Sequence, residues 1–268
     1  MDLDPDEAAR ANVRAWEHLV RAVPGAWARR AGGALGVMTG AGLGGFNGVW
    51  GEAREVEPSA IADLLDAVGE AGVPHCMQLR QGWPPEVDEV AKERGLVRVP
   101  GEPLMALDNG RNLPATVECP GMSLRQLLPE EAHLHARVAA EGGVTRSEAL
   151  YGEVITPEVL RSPGIRCYVG EVEGRSVTTA LSVTLGDCVG IFSVATHPAH
   201  RRRGYGSAVT ARAALDGHES GARWAWLSAS DAGYAVYRDL GFVTVERLDF
   251  WEPLRPCGGD LTAAATSG

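Results

Sequence analysis

The chain has 268 residues, 45% hydrophobic and 22% charged, which is apolar content and length enough for one large or two modest folded domains. Its formal net charge of −10 speaks against a nucleic-acid or anionic-membrane surface, because neutralising phosphates takes clustered Lys and Arg. Five widely spaced cysteines without a CxxC pair (Cys76, Cys119, Cys167, Cys188, Cys257) suit reduced thiols and a cytoplasmic setting, and the acidic start at Asp2, Asp4, Asp6 and Glu7 is unlike a secretion signal.

No uninterrupted apolar run reaches the length of a membrane span. From Glu7 to Val23, Ala8, Ala11, Ala15, Leu19 and Ala22 recur every three to four residues until Pro24-Gly25, which predicts an amphipathic helix. Short strands are expected near Ala34 to Met38 and Gly45 to Trp50. The glycine-rich stretch from Gly42 to Trp50 precedes a strand rather than a helix and reads as a strand hairpin, not a dinucleotide loop. Pro58-Ser59 opens a helix with Ile61, Leu64, Leu65 and Val68 on one face, closed by Gly72. A strand from His75 to Leu79, a helix from Pro84 to Arg94 and a strand from Leu96 onward follow.

The turn formers of Asp108-Asn109-Gly110-Arg111-Asn112-Leu113-Pro114 supply a linker. The expected units are therefore residues 1–113 and 114–256, with a small, polar tail over 257–268. After a helical region beyond Pro129, the second half gives a strand from Val189 to Ala195, a helix from Ser207 to Gly221 and a strand from Arg223 to Ala229. A helix from Ala232 to Leu240 and a long strand from Phe242 to Trp251 complete it. This repeats the order of the first half, and Lys92-Glu93-Arg94-Gly95-Leu96-Val97 lies against Arg238-Asp239-Leu240-Gly241-Phe242-Val243, so an internal duplication is expected.

One difference between the halves bears on function. The second has Arg201-Arg202-Arg203-Gly204-Tyr205-Gly206-Ser207 between a strand and a helix; Gly204 and Gly206 let the backbone approach a ligand, and the helix start offers unsatisfied N–H groups. The first half has Glu52 to Pro58 there, acidic and without glycine, which repels phosphate. No GK[ST] follows Gly206, so a nucleotide P-loop is disfavoured, and taken alone the turn reads equally well as an ordinary surface loop. His133 and His135 sit two apart without a ligand partner at metal spacing, so no metal site is expected; His197 and His200 read as loop surface.

Thr196-His197-Pro198, then Arg201 to Ser207, then Tyr237-Arg238-Asp239-Leu240-Gly241-Phe242 follow in the order and spacing of the GNAT (GCN5-related) N-acetyltransferase family, which the chain resembles over residues 115–253. Residues 6–108 resemble it more faintly, as a degenerate copy without the pyrophosphate loop. The resemblance implies an α/β fold of two GNAT-like units, each a mixed, mostly antiparallel sheet flanked by helices. It implies acetyl-CoA as co-substrate, no metal, and a small-molecule or peptide amine as acceptor, in a monomer or homodimer without nucleic-acid or membrane partners.

Carried over residue by residue, the backbone of Val194, Ala195 and Thr196 would pair with the pantetheine arm and polarise the thioester carbonyl. Arg201, Arg202, Arg203, Gly204, Tyr205, Gly206 and Ser207 would hold the pyrophosphate, and Tyr237 would protonate the departing thiolate. Ser230 stands where many relatives carry an asparagine that contacts the cofactor, and reads equally well as a helix N-cap. Glu141, Glu148 and Glu153 are candidates for the base, though each suits a solvated helix face. The rival readings are a mycothiol-synthase-like tandem acetyltransferase, a non-catalytic acyl-CoA-binding or sensor module, and a scaffold on an inactive fold.

Overall fold

The computed structural model describes residues 4–108 and 117–254; most of the expected linker and the expected tail lie outside the described residues. Helix α1 (Pro5–Arg21) begins where the Asp4 side chain accepts the N–H of Asp6 at 2.9 Å, with Pro5 in the first turn. It buries Ala8, Ala11, Ala15 and Leu19, the face that the periodicity marks. Strands β1 (Trp27–Ala31), β2 (Ala34–Met38) and β3 (Gly48–Gly51) follow as an antiparallel meander. The pattern did not reveal β1, whose Arg29 and Arg30 are exposed and leave it no apolar alternation. The strand expected from Gly45 begins only at Gly48, because Gly44–Phe46 is a 3-10 turn. The buried Asn47 side chain closes that loop, accepting from the backbone of Thr39 at 2.8 Å and donating to the carbonyls of Ala41, Leu43 and Pro74.

Helix α2 (Pro58–Gly69), strand β4 (Cys76–Arg80), helix α3 (Glu86–Glu93) and the long strand β5 (Leu96–Asp108) end the first half. The second half runs β6 (Met122–Gln126), α4 (Ala132–Glu141), α5 (Glu148–Val154), α6 (Pro157–Leu160), β7 (Ile165–Val172), β8 (Arg175–Leu185) and β9 (Cys188–Thr196). It ends with α7 (Tyr205–Glu219), β10 (Trp224–Ser228), α8 (Asp231–Asp239) and β11 (Val243–Pro253).

The mixed, mostly antiparallel pairing expected of each half is present, and the halves join as one eleven-stranded sheet in the order β1-β2-β3-β4-β11-β5-β10-β9-β8-β7-β6. Among the described residues parallel pairing occurs only at β3–β4 and β9–β10, so the same succession recurs on both sides. Each half gives its last strand to the other: β5 pairs with β10 from Leu104 opposite Ser228 to Asp108 opposite Trp224, while β11 pairs with β4 from Leu248 opposite Arg80 to Trp251 opposite Met77. The exchanged strands then pair with each other at the centre of the sheet.

Strand alternation sorts the helices. Helix α1 shares one core with Ala136 and Ala139 of α4, Tyr151 of α5, and Phe250 and Trp226 of the sheet. On the other face α7 and α8 pack Val209, Ala213 and Tyr237 over Val189 and Ile191, and α2 packs Ile61 and Leu65 over Met77 and Leu79. Arg80, buried, donates to Asp6 of α1 and, at 2.9 Å, to Glu246 of β11, tying the first helix to the last strand. Among the described residues no helix is long and apolar enough to cross a membrane.

Candidate active site

Strands β9 and β10 run parallel only from Cys188 opposite Trp224 to Gly190 opposite Trp226. Beyond that they separate, and among the described residues the edge of β9 from Ile191 to Thr196 has no strand partner on that side. A bulge sharpens the divergence, since between the pairs Thr179–Ala195 and Leu181–Phe192 two residues of β9 face one of β8. Ser193 takes φ of +52° there, a left-handed conformation that a non-glycine residue holds only when its surroundings fix it. The fixing groups are visible: the Tyr151 hydroxyl hydrogen-bonds the Ser193 hydroxyl, and His135 Nε2 lies 3.4 Å from the same Tyr151 oxygen. Thr179 Oγ1 donates to the Tyr168 carbonyl at 2.7 Å, so the His135 Nδ1–H donates to Thr179, also at 2.7 Å. Burial holds the His135 pKa down to about 3, so the ring is neutral.

The chain leaves β9 through a 3-10 turn at Pro198–His200 and enters α7 at Gly204, whose φ of +81° favours glycine. No side chain caps α7, so the N–H groups of Tyr205, Gly206 and Ser207 are open at the positive end of a 15-residue helix. A Cβ at Gly206 would meet only Thr196 Oγ1, at 3.6 Å, so the space over this backbone is free for a phosphate. The three arginines are placed differently. Arg201 turns back, its Nε and Nη2 donating to the carbonyls of Thr196 at 3.2 Å and Gly142 at 3.0 Å, which fixes the end of β9 against α4. Arg202, exposed with φ of +62°, lines the cleft, whereas exposed Arg203 does not.

Across the gap stands α8. Ser230 caps it, its hydroxyl accepting the Gly233 N–H at 3.3 Å, and also lines the cleft. Tyr237 faces the same space with its ring against Gly233, where a Cβ would come within 2.8 Å of the ring; the glycine is what admits the tyrosine. Burial, with the charge of Glu102 adding to it, pushes the Tyr237 phenol well above its ordinary value, so it stays protonated.

Glu102 of β5 was not singled out from the sequence, where it falls within the strand expected from Leu96 onward. It lies in the middle of the sheet, and Pro103 accepts the Ala229 N–H at 3.0 Å. Desolvation, reinforced by Glu252 and Asp231, pushes the Glu102 carboxyl up to about 7. Glu102, Tyr237, Ser230, Val194, Ala195, Thr196 and the start of α7 thus open on one cleft of about 610 Å³. Glu141, Glu148 and Glu153 are not among its lining residues, and Glu148 and Glu153 are solvent-exposed. Among the described residues no group of His, Cys, Asp and Glu side chains is placed to hold a metal ion.

Comparison with known proteins bears on the fold. Residues 163–244 match the family model of the acetyltransferase (GNAT) domain. A GCN5-related N-acetyltransferase from Kribbella flavida is 22% identical with a TM-score of 0.68, over 92% of this chain and 96% of that one. A GCN5-related N-acetyltransferase from Sphaerobacter thermophilus is 18% identical with a TM-score of 0.55, over 90% and 79%. A tandem GNAT protein from the clavulanic acid biosynthesis pathway is 15% identical with a TM-score of 0.54, over 93% and 96%. At these identities the structural likeness is one of fold. No curated protein matches the sequence.

Proposed function

We propose that this GNAT-family acyltransferase moves an acetyl group from acetyl-CoA to the amine of a small molecule or peptide by direct attack. What carries the reading is that the uncapped start of α7, the bulged edge of β9 and Tyr237 meet in a single cleft. The N–H groups of Tyr205, Gly206 and Ser207 take the pyrophosphate, and Arg202 adds attraction. The free edge at Val194, Ala195 and Thr196 pairs with the amide-bearing arm and brings backbone donors to the thioester carbonyl.

Glu102 removes a proton from the acceptor ammonium, a role suited to a carboxyl that titrates near neutrality. The freed amine attacks the carbonyl carbon. As the C–S bond breaks, Tyr237 gives its phenolic proton to sulfur, and the second proton shed by nitrogen restores the phenol through water. One amide and one CoA thiol form, with one proton released to solvent from Glu102. On this reading the first half is a GNAT-like unit without a pyrophosphate loop, and through β5 it supplies the base to the other half. Titration calorimetry tests it: acetyl-CoA should bind at one site per chain and be displaced by CoA. Absence of heat at high acetyl-CoA concentration rejects it.

A further inference from the structure

Resting on that reading, we propose that the acceptor is an apolar, ring-bearing primary amine with a second hydrogen-bond donor, held in a chamber that the first half adds to the active site. The cleft does not end at the β9 bulge. It continues to the α1 face of the sheet, where Trp16 stands edge-on to Phe46 at 5.6 Å and Phe192 at 5.5 Å, and tilted against Trp50 at 5.1 Å. Rings packed in this way form rigid, apolar walls with π faces. Three of these four residues come from the first half.

Asn12 supplies the polar end. It is 2% exposed, lines the cleft, and donates its amide N–H to Gln78 Oε1 at 2.7 Å, while its own buried Oδ1 has no hydrogen-bond partner among the described residues. An unmatched buried acceptor is destabilising, and a ligand N–H or O–H that pairs with it removes that cost. Charge narrows the class further. Among the described residues, those outside the pyrophosphate loop that line the cleft with charge are Glu102, Asp239 and Glu252, all acidic, which favours a cationic amine over an anionic acceptor. A polyamine would leave the aromatic walls without apolar partners.

The test compares tyramine, phenethylamine and spermidine as acceptors with acetyl-CoA, reading CoA thiol release. Tyramine should exceed phenethylamine by about tenfold in kcat/KM, the worth of one hydrogen bond, and both should exceed spermidine. Asn12→Leu should bring tyramine down to the phenethylamine level, and Trp16→Ala should raise KM for both ring amines. Tyramine quenching of tryptophan fluorescence, which needs no turnover, should saturate in the native protein and weaken in Asn12→Leu. Spermidine outpacing both ring amines, turnover of neither, or an equal loss for both in Asn12→Leu overturns the inference. If acetyl-CoA still binds in those cases, only the acceptor class falls; if it does not bind and no amine is acetylated, the enzymatic reading falls as well.

Discussion

The backbone N–H of Ala229 donates to the carbonyl of Pro103 at 3.0 Å, so the residue that leads into α8 is held by the strand that ends the first half. With β5 absent, both β10 and β11 lose their shared neighbour and present open edges. Residues 117–254 expressed alone should therefore not give a stable monomer, whereas co-expression with residues 1–116 should restore it. Circular dichroism and size-exclusion chromatography read the outcome; cooperative unfolding of the isolated fragment would count against interdependent halves.

Tyr237→Phe keeps the ring that fills the space beside Gly233 and removes only the proton donor. The expected loss in kcat is roughly 10²-fold or more, with acetyl-CoA affinity changed by no more than about twofold. A comparable loss in calorimetric affinity would make the phenol a binding group instead.

Two glycines of the loop separate folding from binding. Gly204 has φ of +81°, so Gly204→Ala should cost about 1 kcal/mol of stability and lower Tm. At Gly206 a methyl group has room in the free protein but occupies the phosphate space. Gly206→Ala should leave Tm unchanged and weaken acetyl-CoA binding by about tenfold, or roughly 1.4 kcal/mol.

Glu102 gives opposite pH trends for activity and stability. As a base it must be ionised, so kcat/KM should rise as pH passes upward through about 7, and Glu102→Gln should lower the rate and abolish that limb. Its folded pKa stands above the ordinary value of 4.5, so the folded state holds a proton that the unfolded state has lost, and stability falls as pH rises from about 4.5 to about 7. Glu102→Gln should flatten that fall and be the more stable protein at pH 8 by calorimetric unfolding.

Much of this was legible in the sequence. Period and punctuation located α1, β2, α2 and the strand-turn-helix around Gly204 and Gly206, whereas which strands pair, β3 with β4 and β9 with β10 included, was not read from the repeated order. Alternation tells which face of a strand is buried but not which strand lies beside it, so the exchange of β5 and β11 was hidden. Glu102 was hidden with it, since only that exchange carries a residue from Pro100-Gly101-Glu102-Pro103 to the cleft. The chamber around Trp16 and Asn12 depends on contacts between α1, β4 and β9 that no local pattern encodes. Arg201 lines the cleft, and its donations to the carbonyls of Thr196 and Gly142 were not legible in the sequence.

The most direct measurement is thiol release from acetyl-CoA with and without an amine, in the native chain and in Tyr237→Phe. Release that requires the amine, forms the N-acetyl product in equal amount and drops steeply in the variant is the expected result. Saturable acetyl-CoA binding with no amine-dependent release would contradict it and make the chain an acyl-CoA-binding module.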